Sequence, residues 1–379
     1  MICLNNKNEC VGCGACANAC PRDAIRMVAD EEGFLYPKII KERCVDCHIC
    51  EKVCSERKHL SRNKFLTSFA LVNKSKEIRD ASSSGGVFYE MAKTIIEKNG
   101  VVYGASFDDN FLVKHISIHE KKYIQQLMGS KYLQSPSFMV FKDVKENLQK
   151  DQIVLFSGTP CQIAGLKAYL RKDYDNLFCV ELCCHAVPSP KAWQLYIGQL
   201  KRNIKWITFR SKVFGWRHYG LNIIGENGEN IVLQSKEKNA YMRAFLHSLI
   251  CRPSCSQCPH KPFKSLSDAV IGDFWGVDLN HAEKNDGKGI SLYAALTEKG
   301  RILFEEISHN FDFFEIDSED IYSVNGNFSH SEKMHSKRAL FWDLVNEKKI
   351  PFNEAVDRCL KISLIRRIIS KIKRSVKGA

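Results

Sequence analysis

No stretch of eighteen apolar residues occurs in the 379-residue chain, so no membrane-spanning helix is expected. The opening residues, MICLNNKNECVGC, lack the charged-then-apolar build of a secretory signal, and the expected location is the cytoplasm. No convincing Ser–His–Asp or paired-carboxylate constellation is present, so no residue declares itself a general acid. Apolar residues make up 44% of the chain, enough to fill real cores. The length implies two or three domains.

Cysteine, in contrast, is abundant, with 17 in the chain. A reducing compartment disfavours disulfides, so thiolates on metal are the better account. Residues 10–21 read CVGCGACANACP and residues 44–54 read CVDCHICEKVC. Both carry the spacing C-x2-C-x2-C-x3-C of bacterial two-cluster ferredoxins, in which the fourth cysteine of each run reaches the other cluster. Cys10, Cys13, Cys16 and Cys54 are therefore expected to hold one 4Fe–4S cluster. Cys20, Cys44, Cys47 and Cys50 are expected to hold the other. Zinc sites would more usually show paired C-x2-C elements. Gly12 and Gly14 leave room for backbone N–H groups to approach the sulfurs, and FLYPKII between the runs reads as a strand. Two adjacent clusters form an electron wire, which implies an electron acceptor or donor further along the chain.

ASSSGGVFYEMAKTIIEKNG (81–100) ends as an amphipathic helix with Val87, Met91 and Ile95 on one face. Its serine- and glycine-rich start suits either anion binding at a helix N-terminus or plain capping. DQIVLFSGTPCQIAGLKAYLRK (151–172) reads as a buried strand, a tight turn and a helix, and LFCVEL (177–182) repeats the strand before CCHAVPSP. Cys161 and Cys184 then lie just beyond the carboxyl ends of two strands, the edge at which open α/β sheets bind ligands. CRPSCSQCP (251–259) supplies a C-x2-C loop between prolines. Cys161, Cys184, Cys255 and Cys258 can make a third 4Fe–4S set, with Cys251 or Cys183 as substitute members and zinc at the loop as the alternative. Cys3, Cys179 and Cys359 read as small buried hydrophobes. Arg210 and Lys212 stand near Trp216 in FRSKVFGW, which suits a flat anionic ligand. Asp273 and Trp275 in GDFWG either face a planar cofactor or simply pack. LNIIGENGENIVLQ (221–234) reads as a hairpin.

SSSGG, LMGSKYLQS (127–135), LFSGTPCQIAGLKAYL, CCHAVPSP, FRSKVFGW, RPSCSQC and IGDFWG follow one another in an order that resembles the beta-subunit family of coenzyme F-420 hydrogenases and dehydrogenases, over about residues 65 to 310. The resemblance implies FAD and iron–sulfur clusters, with electrons passing between clusters and flavin. It marks Cys161, Cys184, Cys255 and Cys258 as the third-cluster set. It also marks Ser83, Ser84, Gly85, Gly86, Lys131 and Thr159 as candidates around the flavin or its phosphates. Ala186 stands where the family often has glycine. His185 and Asp273 are the weak candidates for proton transfer.

The expected fold is an α+β ferredoxin-like N-terminal domain followed by an α/β flavin-binding domain with a mostly parallel sheet. Its parts would be a ferredoxin-type domain (1–60), the first part of the coenzyme F-420 hydrogenase-like region (61–150), a second part with FAD and the third cluster (151–315), a helical extension (316–360) and a basic amphipathic tail (361–379). The implied activity is that of a flavin- and 4Fe–4S-dependent oxidoreductase fed by ferredoxin or another redox partner. Its two-electron small-molecule substrate would be coenzyme F-420 or a compound of polysaccharide biosynthesis. The alternative is an electron-transfer subunit that feeds a partner enzyme.

Three clusters at roughly −2 each would bring the formal charge of +13 to about +7. Residues 361–379 hold seven basic residues and no acid, so the remainder is close to neutral and no nucleic-acid partner is expected. Ile365, Ile368, Ile369, Ile372 and Val376 recur at helical spacing among those basic residues. This pattern suits peripheral contact with the anionic inner face of a membrane, docking on a partner, or packing on the protein itself.

Overall fold

The computed structural model describes residues 2, 4–57 and 64–360. An N-terminal α+β unit precedes an α/β unit with a large, mostly parallel sheet, as expected. The N-terminal unit is built on an antiparallel hairpin of β1 (Ile25–Ala29) and β2 (Leu35–Ile39). β2 is the strand expected at FLYPKII. β1 was not anticipated, because its alternation is weak and only Ile25 is buried. The two cysteine runs flank the hairpin, and each enters a one-turn helix, Ala15–Asn18 and Ile49–Lys52.

The remaining strands are β3 (Thr67–Asn73), β4 (Val101–Phe107), β5 (Val113–Ile118), β6 (Val154–Gly158), β7 (Leu177–Leu182), β8 (Ile204–Ser211), β9 (Gly220–Gly225), β10 (Asn230–Ser235), β11 (Ala269–Asp273), β12 (Ser291–Ala295) and β13 (Phe311–Glu315). The main sheet has the order β13-β3-β12-β11-β7-β6-β4-β5. β4, β6, β7 and β11 are parallel neighbours, whereas β5, β12 and β13 run antiparallel to theirs. β3 belongs to the same sheet as β6 and β7, so residues 64–150 and 151–315 are interleaved rather than side by side.

Among the helices that pack on these sheets are α1 (Val87–Glu97), α2 (Phe141–Gln149), α3 (Pro160–Leu170), α4 (Pro190–Gly198), α5 (Ala240–Leu246), α6 (Glu298–Ser308), α7 (Arg338–Asn346) and α8 (Phe352–Leu360). Successive strand residues point to opposite faces, and both faces of the main sheet are covered. Val102, Leu155 and Val180 pack on Val87, Met91 and Ile95 of α1 and on Leu303 and Ile307 of α6. Their neighbours Val101, Tyr103, Val154, Phe156 and Leu177 pack on Phe141 and Val144 of α2 and on Ile163 and Leu166 of α3. Burial on both sides explains why the central strands read as continuous apolar runs.

β10-β9-β8 forms a separate antiparallel sheet, packed with α4, α5, α7 and α8 around Phe209, Trp193 and Tyr241. The hairpin expected at 221–234 is β9–β10; β8, which carries Arg210, was read only as a ligand motif. The N-terminal unit is held by its own hairpin turn. Arg338 of α7 grips the Glu32 carboxylate with its two terminal guanidinium nitrogens, at 2.6 Å for Nη1. Lys191 Nζ and Asn346 Nδ2 donate to the Glu31 carbonyl at 2.8 and 3.1 Å. Among the described residues no helix is long and apolar enough to cross a membrane. The basic segment 361–379 lies outside the described residues, as does Cys3.

Candidate functional site

The parallel strands bring their carboxyl ends to one edge of the sheet. Thr159 and Cys161 follow β6, Cys183 and Cys184 follow β7, and Asp273 ends β11. Within the N-terminal unit, Cys10, Cys13, Cys16 and Cys54 come close enough that their charges act on one another. Burial pushes the Cys13 thiol up to about 12 and raises Cys16 as well. Backbone N–H groups oppose that shift: Gly12 N donates to Cys10 Sγ at 3.4 Å, and Ala15 N reaches Cys13. Cys20, Cys44, Cys47 and Cys50 line a cavity, together with Arg22, Val45 and His48. Cys47 is exposed, so this second set lies at the surface. The two sets are joined covalently at helical spacing, Cys16 to Cys20 and Cys50 to Cys54, and all four pack in one cluster.

A larger cavity is lined by Cys161, Cys184, Cys255 and Cys258, with Val11, Arg252 and His185 in its wall. Burial raises all four thiols, Cys258 to about 11. A neutral buried thiol becomes a thiolate only with compensating positive charge, which a metal ion or cluster supplies as the proton leaves. Cys183 also lines the cavity, but its sulfur accepts from Asn325 Nδ2 at 3.3 Å and packs towards Phe263 and Phe274. Cys251 is fully buried and its thiol turns to the Phe245 carbonyl. Neither substitute member is as well placed as the four. Cys179 and Cys359 are buried hydrophobes. Among the described residues no three His, Cys, Asp or Glu side chains converge on a single metal-ion position. A cubane seats each thiolate on a different iron and so spaces the sulfurs more widely than one tetrahedral ion would.

The first and third sets meet across α3. A Cβ built on Gly165 would stand 2.5 Å from Cys13 Cβ and 3.1 Å from its sulfur. Cys161 lies one helical turn earlier on the same face, so the two cysteines are separated by about 6 Å of helix surface. Two side chains that were not anticipated occupy this junction. Arg252, 1% exposed, donates from Nε to the Cys10 carbonyl at 2.9 Å and from Nη2 to the Leu35 carbonyl at 2.9 Å. Glu56, its carboxyl raised to about 7 by burial, faces Cys10, Cys161 and Cys258. Each carries one local hint: Arg252 sits inside the CRPSC stretch, and Glu56 follows Cys54 by two residues.

The candidates around a flavin fall into two places. Ser83, Ser84, Gly85 and Gly86 form the turn before α1. Ser83 Oγ accepts from Ser130 N at 2.8 Å, Ser84 Oγ donates to the Ile290 carbonyl at 2.8 Å, and Gly85 N donates to Ser291 Oγ at 2.8 Å. Gly86 is the N-cap of α1, in a left-handed conformation and without a capping side chain. Lys131 is next to Ser130, and its amine, lowered to about 7 by burial, donates to the Met128 carbonyl at 2.9 Å. Thr159 stands apart, beside the third cysteine set, with Oγ1 3.2 Å from Cys161 Sγ.

The two weak proton-transfer candidates are also separated. His185 lines the third-set cavity, with Nδ1 3.1 Å from Glu332 and Nε2 buried without a partner among the described residues. Asp273 is held in a bidentate pair with Arg210, at 2.7 and 3.0 Å, and accepts from Trp216 Nε1 at 2.9 Å. Trp275 stacks on Trp216 with ring centroids 4.7 Å apart. The GDFWG residues thus pack on the FRSKVFGW residues. Lys212 Nζ and Arg210 Nη2 donate to the Ser84 and Ser83 carbonyls at 3.1 and 3.4 Å, which ties this pair to the turn before α1. Arg210 Nε is buried and has no partner among the described residues.

Comparison with known proteins gives two family matches. Residues 9–57 match the 4Fe-4S dicluster domain, and residues 151–319 match the C-terminal family of the Coenzyme F420 hydrogenase/dehydrogenase beta subunit. No curated protein matches the chain. A chain of the F420-reducing [NiFe] hydrogenase complex from Methanosarcina barkeri is similar at 17% identity and a TM-score of 0.48, covering 77% of this chain and 91% of that one. The two matches support an electron-transfer oxidoreductase that joins a 4Fe-4S dicluster domain, residues 9–57, to a region, residues 151–319, similar to the C terminus of the coenzyme F420 hydrogenase/dehydrogenase beta subunit.

Proposed function

We propose that the chain is an iron–sulfur flavoprotein that relays single electrons through three 4Fe–4S clusters to FAD and on to a two-electron small-molecule substrate. The order is the second set at the surface, the first set beneath it and the third set at the sheet edge. One observation carries this reading: Gly165 and Cys161, one turn apart on α3, touch the first set and belong to the third. FAD, when bound, supplies the exchange between one-electron carriers and a two-electron substrate. Ser83, Ser84, Gly85 and Gly86 before the uncapped start of α1 would face its phosphates, with Lys131 behind them. Arg210, whose Nε lacks a partner among the described residues, would hold an anionic or carbonyl edge of the ring or substrate. The substrate is coenzyme F-420 or a compound of polysaccharide biosynthesis, and a ferredoxin or similar redox protein serves the exposed second set. The segment 361–379 carries the charge and periodicity for contact with an anionic membrane surface.

A second reading has a specific observation in its favour. The Asp273 carboxylate is taken up by Arg210 and Trp216, and Trp275 stacks on Trp216, which suits an electron-transfer subunit that feeds a partner enzyme. Anaerobic purification of the full chain separates the two. The first reading predicts about twelve iron and one FAD per chain, and Cys255→Ser/Cys258→Ser should lose about four iron while keeping the flavin. Iron without flavin favours the subunit reading, and unchanged iron in the double variant removes the third cluster.

A further inference from the structure

Arg252 belongs by sequence to the loop of the third cysteine set and by its side chain to the first. Its backbone N donates to the Val187 carbonyl at 2.9 Å, and its carbonyl accepts from Cys255 N at 3.0 Å, so the main chain is locked into the CRPSC turn. The side chain then crosses to the N-terminal unit. Nε and Nη2 reach the Cys10 and Leu35 carbonyls, and Nη1 donates to Gln134 Oε1 at 3.1 Å. The guanidinium lies over the Tyr36 ring, 4.4 Å from its centroid. A Cβ on Gly12 would fall 2.9 Å from Nη1, so the loop between Cys10 and Cys13 closes directly on the charge. Arg252 also lines the cavity of the third set. The hydrogen-bond acceptors it uses are neutral: two backbone carbonyls and an amide oxygen. No carboxylate hydrogen-bonds this guanidinium among the described residues; the Glu56 carboxyl lies near enough to feel its charge, but burial favours that carboxyl's neutral form, so the positive charge acts on the cysteines around it.

We infer that Arg252 is an electrostatic bridge, one buried guanidinium that raises the reduction potentials of the first and third clusters together and so keeps them matched for transfer. This inference rests on the three-cluster reading. A one-electron step between the two clusters oxidises one and reduces the other, with no change in the charge of Arg252 itself. Each reduction adds a negative charge beside the guanidinium, which a low-dielectric interior strongly favours. Net charge and hydrogen bonding around a cluster are among the factors that set its potential. Among the described residues the second set makes no contact with Arg252, and it serves as an internal reference.

The test is a redox titration followed by electron paramagnetic resonance on the full chain, purified without air. Gln134→Glu keeps Arg252 in place and puts a carboxylate on its Nη1, cancelling the charge with an isosteric side chain. The first- and third-cluster potentials should both fall in this variant while the second stays where it is. Arg252→Gln should lower the same two, and Arg252→Lys should restore most of the loss. Where Arg252→Gln fails to keep its iron, Gln134→Glu decides alone. Unmoved potentials in an iron-replete Gln134→Glu protein overturn the bridge, as does a fall confined to one cluster or an equal fall in Arg252→Lys. A wild-type protein with fewer than three clusters overturns the three-cluster reading instead.

Discussion

His115 shows how a single buried side chain ties stability to pH. It is 4% exposed, with Nδ1 2.7 Å from Ser135 Oγ and Nε2 3.0 Å from the Ser157 carbonyl. A carbonyl can only accept, so the ring proton sits on Nε2 and Nδ1 accepts from the serine hydroxyl. Burial, reinforced by the nearby Lys131 charge, lowers its pKa from the ordinary 6.5 to about 4. Between those values the unfolded chain binds a proton that the folded chain does not. The stabilisation is complete above pH 6.5 and is lost as pH falls from there towards 4. One pKa unit corresponds to 1.36 kcal/mol, so the loss by pH 5 is about 2 kcal/mol. Urea unfolding at pH 7 and pH 5 should show that extra loss in the wild type and not in His115→Gln. Equal losses in both proteins would show that His115 is not responsible.

At the scale of elements, the internal repeat explains which turns could be read and which contacts could not. The residues on either side of the second cysteine have positive φ in both copies: Gly12 and Gly14 in the first, Asp46 and His48 in the second. The backbone is the same, but of these two loops only the first is pressed against the rest of the molecule, the second copy packing on α3 instead through Ile49 and Val53. A Cβ at Gly14 would stand 2.3 Å from Phe138 and one at Gly12 would meet Arg252, whereas Asp46 and His48 are exposed to solvent. That cysteines 10, 13, 16 and 54 come together, and that 20, 44, 47 and 50 line one cavity, was legible because the repeated spacing fixes which sulfurs share a side. That Cys161 and Cys184 line one cavity was legible because the apolar runs at 154–158 and 177–182 mark adjacent buried strands. The pairing of Asp273 with Arg210, and of Arg252 with Cys10, joins residues far apart in the chain and leaves no local periodicity to read. α3 offers a direct check of the junction. Helix propensity alone favours Gly165→Ala by about 1 kcal/mol. The overlap with Cys13 opposes it, and forced overpacking typically costs about 1–3 kcal/mol. Because the clash is with the Cβ of a constrained loop cysteine, we predict a lower thermal midpoint and a loss of iron from the first set. A higher midpoint with full iron would mean that α3 does not press on that loop.

Over the whole molecule, the N-terminal unit is clamped at the turn end of its hairpin. Glu32 in the turn is held by Arg338, and Arg252 ties the Leu35 carbonyl at the start of β2 to the first cysteine loop. The main sheet threads residues 64–73 and 101–118 between and beside strands from 154–315, so the third cysteine set is fixed by the same core that fixes the turn before α1. The proposed three-cluster relay has its first cluster in the middle of a line, with a neighbour on either side. Electron paramagnetic resonance of the fully reduced full-length protein tests that order most directly. The account predicts a first-cluster signal broadened by magnetic coupling to both neighbours, and a Cys255→Ser/Cys258→Ser protein in which the coupling to the third is gone and that to the second remains. A first-cluster signal that is the same with and without the third cluster would contradict it.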